Sequence, residues 1–554
     1  MPKCISALTL TASLWCSTAI ANPVMLLAEQ CQQLTLASDF DAAFNPESLD
    51  LIQDPLSAAV QATQFERLSL GFNNISSRVS LYLSEPLSKD GRDILVNCQI
   101  RLADEIDQIT QKVAFKQLSL RLQTHGEGDT AALGQAMYRL ASMRLSATDK
   151  ARLHTAEASF MTGHKRGEFS LQPTDECQIV SENKSSKNQI SNAVAVYLSE
   201  QINEECRESA WKSYQIRARE LSLSALNVIH DIRQSQAIQQ GFADYVSLAL
   251  NNTFFATPDT ALAFLQATRP DKTLAPWNIG RALKQADGNR TPIDSNWLLN
   301  TLLNELQTFG IRFDWLSDTH LRLWLNNRLL GELAIATGKD PDFQLTRPGI
   351  FTRQFNQGLL IRPDVLKGRS AAADFIHAFA RALANMTQVE RHYLLARQSE
   401  YDDSRALAAN WLALILENKL SSRLPAATPR EAIVDAHRLA QNYYRSALAL
   451  DFYRYQPAGI DRFAEHFEGQ WPSVDAQYQS TIALVQQGPL LYRELWQQRL
   501  SRFITDHQQM TDEHAFELLL VNPNRQSLMQ QLTSLLGRSY TADELIRSIA
   551  DDLR

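Results

Sequence analysis

The amino-acid sequence predicts a mainly α-helical protein that carries one small antiparallel β-sheet. Three observations lead there. Over most of the 554 residues, apolar side chains recur at three- and four-residue intervals with polar ones between them, the pattern of helices with one buried face. The interruptions are short and contain Gly, Pro or Asn. One section, near 311–339, switches from this rhythm to alternation. A composition that is 44% hydrophobic, with 20 Gly and 19 Pro, belongs to a globular chain long enough to bury a large core.

Residues 1–21 read as an export signal rather than as fold. Lys3 gives the positive start, an apolar run passes through Ile5, Leu8, Leu10, Leu14 and Trp15, and Ala19-Ile20-Ala21 supplies a small-residue cleavage site before Asn22. The run is too short and too rich in Ser and Thr to span a bilayer. Bulky Trp15 before Cys16 argues against a lipoprotein site. Loss of Lys3, the one charged residue in this segment, takes the formal net charge from −7 to −8. No later segment holds about twenty uninterrupted apolar residues, so the mature chain is expected to have no membrane span. The expected location is the periplasm. An acidic exported chain with no run of Lys or Arg is a poor partner for nucleic acid.

The cysteines fit export. Cys31, Cys98, Cys177 and Cys206 remain after the signal, an even number in an oxidising compartment. Of the three possible pairings, Cys31–Cys98 and Cys177–Cys206 are favoured because each closes the shorter loop. None stands at C-x-x-C spacing, so they do not suggest a zinc site.

Behind the signal, 22–220 reads as an N-terminal helical region and 221–554 as a second helical region with the sheet. Helical periodicity is clearest at Ile100 to Leu122, Ala131 to Leu145, Ala193 to Ile202 and Ala210 to Ile232. "VSENKSSKNQISN", from Val180, is the most loop-like stretch of the first half. Near 311–339, Leu321, Leu323 and Leu325 alternate with Arg322 and Trp324, and Asn326-Asn327 supplies a turn. Leu329, Leu330, Leu333 and Ile335 follow, which predicts two or three antiparallel strands. After Thr387 the helices resume at Ala406 to Leu420, Ala432 to Phe452 and Leu490 to Ile504.

The stretch "DFIHAFARALANM", Asp374 to Met386, holds the candidate chemistry. On a helix, Asp374, His377 and Arg381 share one face, while Phe375, Ile376, Phe379, Leu383 and Met386 form the apolar side. Alone, this is an ordinary amphipathic helix with one histidine. Its setting is more specific. The sheet "LRLWLNNRLLGELAIATGKD" and the approach "GIFTRQFNQGLLIRP" precede it. A second helix with "DDSRALAANW", ending at Trp411, follows, and then "YYRSALALDFYRYQ" and "QSLMQQLTSLLGRSYTADELIRSI". From about Leu299 to the C-terminus this order resembles the thimet oligopeptidase and oligopeptidase A family of zinc metallopeptidases. In that family a strand pair leads to an "FHEFGHALH" helix, and a second helix, "E-x-P-S-Q-x-x-E-N-W", brings the third zinc ligand. The resemblance implies two helical lobes around a channel that admits short peptides.

Carried over position by position, the family's first zinc ligand falls on His377. Its general base falls on Ala378, its second ligand on Arg381, and its third, counted back from Trp411, on Asp402 beside Asp403. A catalytic zinc needs three protein ligands and an open position. A guanidinium stays protonated and cannot serve. Alanine cannot take a proton from water, and a general base contributes about 10²–10⁴-fold. In "QQGPLLYRELW", Tyr492 is kept, while the position of the family's transition-state tyrosine reads Glu494, whose charge opposes a developing oxyanion. Glu390 and His392, in "VERHY", stand too close together to replace the lost motif.

The resemblance with these departures therefore implies a catalytically inactive peptidase homologue without a cofactor. It would bind short peptides or a periplasmic protein, with Arg381 either paired to Asp402, and to Asp374 as a second partner, in place of the metal, or pointing into a wet channel with no fixed partner. Two alternatives stay open: a working zinc oligopeptidase, which would need zinc on ligands placed elsewhere, and a structural or partner-binding scaffold with a filled channel.

Overall fold

In the computed structural model, the described residues are 22–142, 145–166, 177, 189–251, 253–349, 355–387, 392–397, 403–454, 461–523 and 526–553. Residues 1–21, read above as an export signal, lie outside them. Helices dominate, and their starts are set by local chemistry. Pro55–Ser84 begins at Asp54, whose carboxylate accepts from the Ser57 amide while the Ser57 hydroxyl caps back, with Pro55 in the first turn. Pro429–Phe452 uses Thr428 and Glu431 in the same way.

Two of the long helices read from periodicity are each two helices. Ile100 to Leu122 is divided between Lys89–Gln111 and Val113–His125, with Lys112 extended between them. Ala210 to Ile232 is divided between Glu204–Gln215 and Arg219–Gln239. In the first case the apolar register runs on through the break, because Ile109, Phe115 and Leu118 all enter one core. Burial alone could not mark the break. The polar stretch from Val180 lies outside the described residues up to 188, and its end is helical, in Gln189–Glu200.

The apolar side chains form two cores. One runs from Val24 to Met137 and the other from Leu153 to Ile549, which gives two helical lobes. A cavity of about 1440 Å³ lies between them, lined by Phe65, Glu66 and Phe72 from one lobe and by Tyr245, Leu248 and Tyr453 from the other. The disulfides Cys31–Cys98 and Cys177–Cys206 are both present, the pairing expected from loop length.

The sheet is larger than the sequence predicts. The strands are β1 (Pro292–Asp294), β2 (Ile311–Ser317), β3 (His320–Leu325), β4 (Arg328–Thr337), β5 (Asp342–Arg347), β6 (Asn356–Arg362) and β7 (Val365–Lys367). β1 and β7 form a separate antiparallel pair. β2, β3 and β4 are the expected antiparallel meander, with Asn326 left-handed at φ 53° in the tight turn. β6 then adds to β4 in parallel and β5 closes the far edge, so the five-stranded sheet is mixed, in the order β2-β3-β4-β6-β5. β6 is the "NQGLLIR" of the approach segment. Its central Gly358 and the adjacent Leu359-Leu360-Ile361 hide it from an alternation search.

The sheet seats the candidate helix, Gly368–Thr387. A methyl group at Gly331 would lie 2.6 Å from the Asn356 carbonyl oxygen and 3.2 Å from the Met386 sulfur. The missing side chain therefore lets the end of the helix lie against β4 and β6. The Asn356 amide, from β6, donates to the Asn385 carbonyl at 2.6 Å and fixes that end.

Candidate functional site

Gly368 sets the start of the candidate helix. It has φ +86°, and a Cβ there would stand 2.3 Å from Glu431 Oε1. That same oxygen accepts from the Ser370 amide at 3.1 Å, and Ser370 Oγ reaches Asp435 at 3.5 Å. The helix is thus anchored by Pro429–Phe452 at one end and by the sheet at the other. Phe375, Ile376, Ala378, Phe379 and Leu383 are buried, while Asp374, His377 and Arg381 face the open side. Ala378, onto which the resemblance carries the general base, is buried in the core.

The principal partner of His377 is one that the sequence reading missed. Its Nε2 lies 3.5 Å from Glu417 Oε1, on the helix Asp403–Leu420, and Arg369 approaches the other Glu417 oxygen at 3.8 Å. Asp402 lies outside the described residues. The available signal for Glu417 was weak: a carboxylate in the last turn of a helix runs against the helix dipole, which asks for a nearby cation. Arg369 and Arg502 answer that demand.

The ionisation of the group is pushed toward neutrality. Burial lowers the His377 pKa below that of ordinary histidine, and the Arg381 charge adds to this. Burial raises Glu417, with Arg369 and Arg502 opposing and Asp374 assisting. Burial also raises Asp374, against the pull of Arg438 and with the push of Asp340, and it raises Asp435. The result is a half-buried patch of alternating charge, in which arginines compensate the carboxylates.

Arg381 departs from the expected pairing. Its guanidinium donates to Asp342 Oδ1 at 2.8 Å, on the edge strand β5, rather than to Asp374. The reason is direction: Arg381 leaves the helix toward the sheet, while Asp374 lies two turns earlier, near Arg438. Tyr492 is buried and donates its hydroxyl to Thr253 Oγ1 at 3.1 Å, with its ring 5.4 Å from Phe255. Glu494 is exposed and accepts from Gln498 at 3.3 Å.

Among the described residues, those around His377 do not fit zinc. Among the described residues no three His, Cys, Asp or Glu side chains gather in a metal-binding arrangement. His377 and Glu417 are two donors, and Arg369 brings a fixed positive charge to the second of them.

Comparison with known proteins places the fold. No protein-family model matches the chain, and no curated protein matches it in sequence. Solved structures do match. A putative peptidase from Chlamydophila abortus superposes with a TM-score of 0.53 at 10% identity, over 94% of this chain and 99% of that one. PZ peptidase A, solved with an inhibitor, superposes with a TM-score of 0.54 at 10% identity, over 93% of this chain and 96% of that one. At this identity the likeness is one of fold alone, and the chain has the fold of a helical peptidase.

Proposed function

We propose that this protein is an exported peptidase homologue of the thimet oligopeptidase type that has given up zinc hydrolysis and binds short peptides in the cavity between its lobes. The observation that carries the reading is the company of His377. Where a metal centre would gather donors, His377 meets one carboxylate already held by Arg369, Ala378 is sealed in the core, and Arg381 is committed to Asp342.

Peptide binding is supported by the cavity. Its lining mixes aromatic and aliphatic side chains with Ser69, Asn73, Gln99, Gln239 and Gln487. Hydroxyls and amides suit the donors and acceptors of a peptide backbone, and the apolar groups suit its side chains. Export is supported by the two disulfides, which suit an oxidising compartment.

A thermal-shift screen of the purified mature chain against short peptides tests the binding half. A ligand present at a hundred times its Kd stabilises the fold by about 2.7 kcal/mol, enough to move the melting temperature. Stabilisation by some peptides, lost on Phe72→Asp in the cavity wall, is the expected outcome. No response to any peptide would favour a scaffold whose cavity is filled by a partner.

A further inference from the structure

A short segment bridges the two lobes, which also meet where Pro55–Ser84 lies against β5. The chain between the His377 helix and the Glu417 helix crosses to the other lobe at His392–Leu394. Tyr393 is 4% exposed and touches Pro55–Ser84 at two points. Its amide donates to Glu66 Oε1 at 3.0 Å, and its hydroxyl meets Ser77 Oγ at 2.7 Å. Glu66 and Ser77 are eleven residues apart, three helical turns, and so share a face. Leu394 packs against the Val24-to-Met137 core.

His392 works against this docking. It is 3% exposed, and neither ring nitrogen has a hydrogen-bond partner among the described residues. Its Nδ1 stops 3.6 Å short of Glu66 Oε2. A buried polar ring with no hydrogen bond among the described residues opposes burial, so His392 weakens the docking that Tyr393 and Leu394 provide. Tyr393, Leu394 and Glu66 also line the cavity.

We propose that His392–Leu394 is a releasable latch between the lobes, and that its release admits a ligand to the cavity. The docked segment covers cavity wall with Tyr393 and Leu394, and the same chain leads directly into the two helices that carry His377 and Glu417. Undocking therefore frees the cavity wall without unfolding either core.

Hydrogen exchange on the full mature chain tests the latch without any ligand. The Tyr393 amide is expected to exchange about tenfold or more faster than the core amides of Leu118 and Leu133, because local opening exposes it. Tyr393→Phe, which loses the Ser77 contact, should speed that exchange further. His392→Phe, which removes the unpaired nitrogens, should slow it, with the core amides unchanged in both. Exchange of the Tyr393 amide in step with the core in all three proteins would overturn the latch. The admission step rests on the peptide-binding reading: Tyr393→Phe should raise the association rate of a stabilising peptide and His392→Phe lower it. Equal rates would overturn the admission step. If no peptide binds any form, the peptide-binding reading and the admission step both fail, while the exchange data still decide the latch.

Discussion

His377 shows how neighbours set the ionisation of a side chain. Its ring is drawn from water by the packing around it, and Arg381, one turn on, sets a positive charge beside it. Both effects disfavour the imidazolium. The imidazole is therefore expected to titrate below the ordinary histidine value of about 6.5. Replacement of Arg381 by Ala should raise that midpoint part of the way back, because burial, the larger cause, stays. Histidine-selective NMR titration of the two proteins measures this, and a midpoint that falls or holds in Arg381→Ala would refute the assignment. The sequence made legible the shared face of Asp374, His377 and Arg381. The partner of His377 was not legible. Glu417 stands forty residues further on, on a helix whose crossing point is set by how Trp411 and its neighbours pack. Nothing in the local pattern distinguishes a carboxylate aimed at His377 from one aimed at water.

At the scale of elements, the helix that carries His377 depends on its first residue. Gly368 is left-handed and abuts the carboxylate that caps Ser370. Gly368→Ala is expected to cost about 1–3 kcal/mol, since an L side chain is strained at that φ and the contact with Glu431 must give way. Denaturant unfolding measures it, and a change within about 0.5 kcal/mol, the range of an ordinary surface substitution, would contradict the anchoring described here. The elements also mark where sequence reading succeeds. The β2–β3–β4 meander was legible because alternation and an Asn-Asn turn coincide. β5 and β6 were not, because β6 carries Gly358 at its centre and joins the sheet through a parallel pairing with β4 that no local signal announces. The break at Lys112 was hidden for a different reason: both helices bury their apolar residues in one core, so the periodicity runs through it.

For the whole molecule, two histidines unconnected with His377 govern the response to acid. Burial lowers His437 to about 4, and burial, with Arg269 and Arg462, lowers His466 to about 3. The folded chain holds both neutral, whereas the unfolded chain protonates them near 6.5. Their contribution is thus fully present above pH 6.5 and is lost as the pH falls toward those lowered values, by about 1.4 kcal/mol per pH unit for each histidine. The buried carboxyls Asp374, Glu417 and Asp435 act in the opposite sense, since their raised pKa lets the folded state bind protons first. They enter only as the carboxylate range is approached. Stability is therefore expected to fall between pH 7 and 5, and His466→Phe should flatten the fall. A melting temperature that is level or rises over that interval would refute it.

The helical class, the lobes and the peptidase-like architecture were legible from the order of motifs, because that order follows the packing order of the second lobe. The site's inactivity is the central claim, and zinc content measured together with cleavage tests it most directly. Mature protein purified without chelator is expected to carry less than about a tenth of an equivalent of zinc, since a structural or catalytic site at ordinary affinity would retain near one. It should also show no chelator-sensitive cleavage of quenched peptides. Stoichiometric zinc with cleavage that a chelator abolishes would contradict the account.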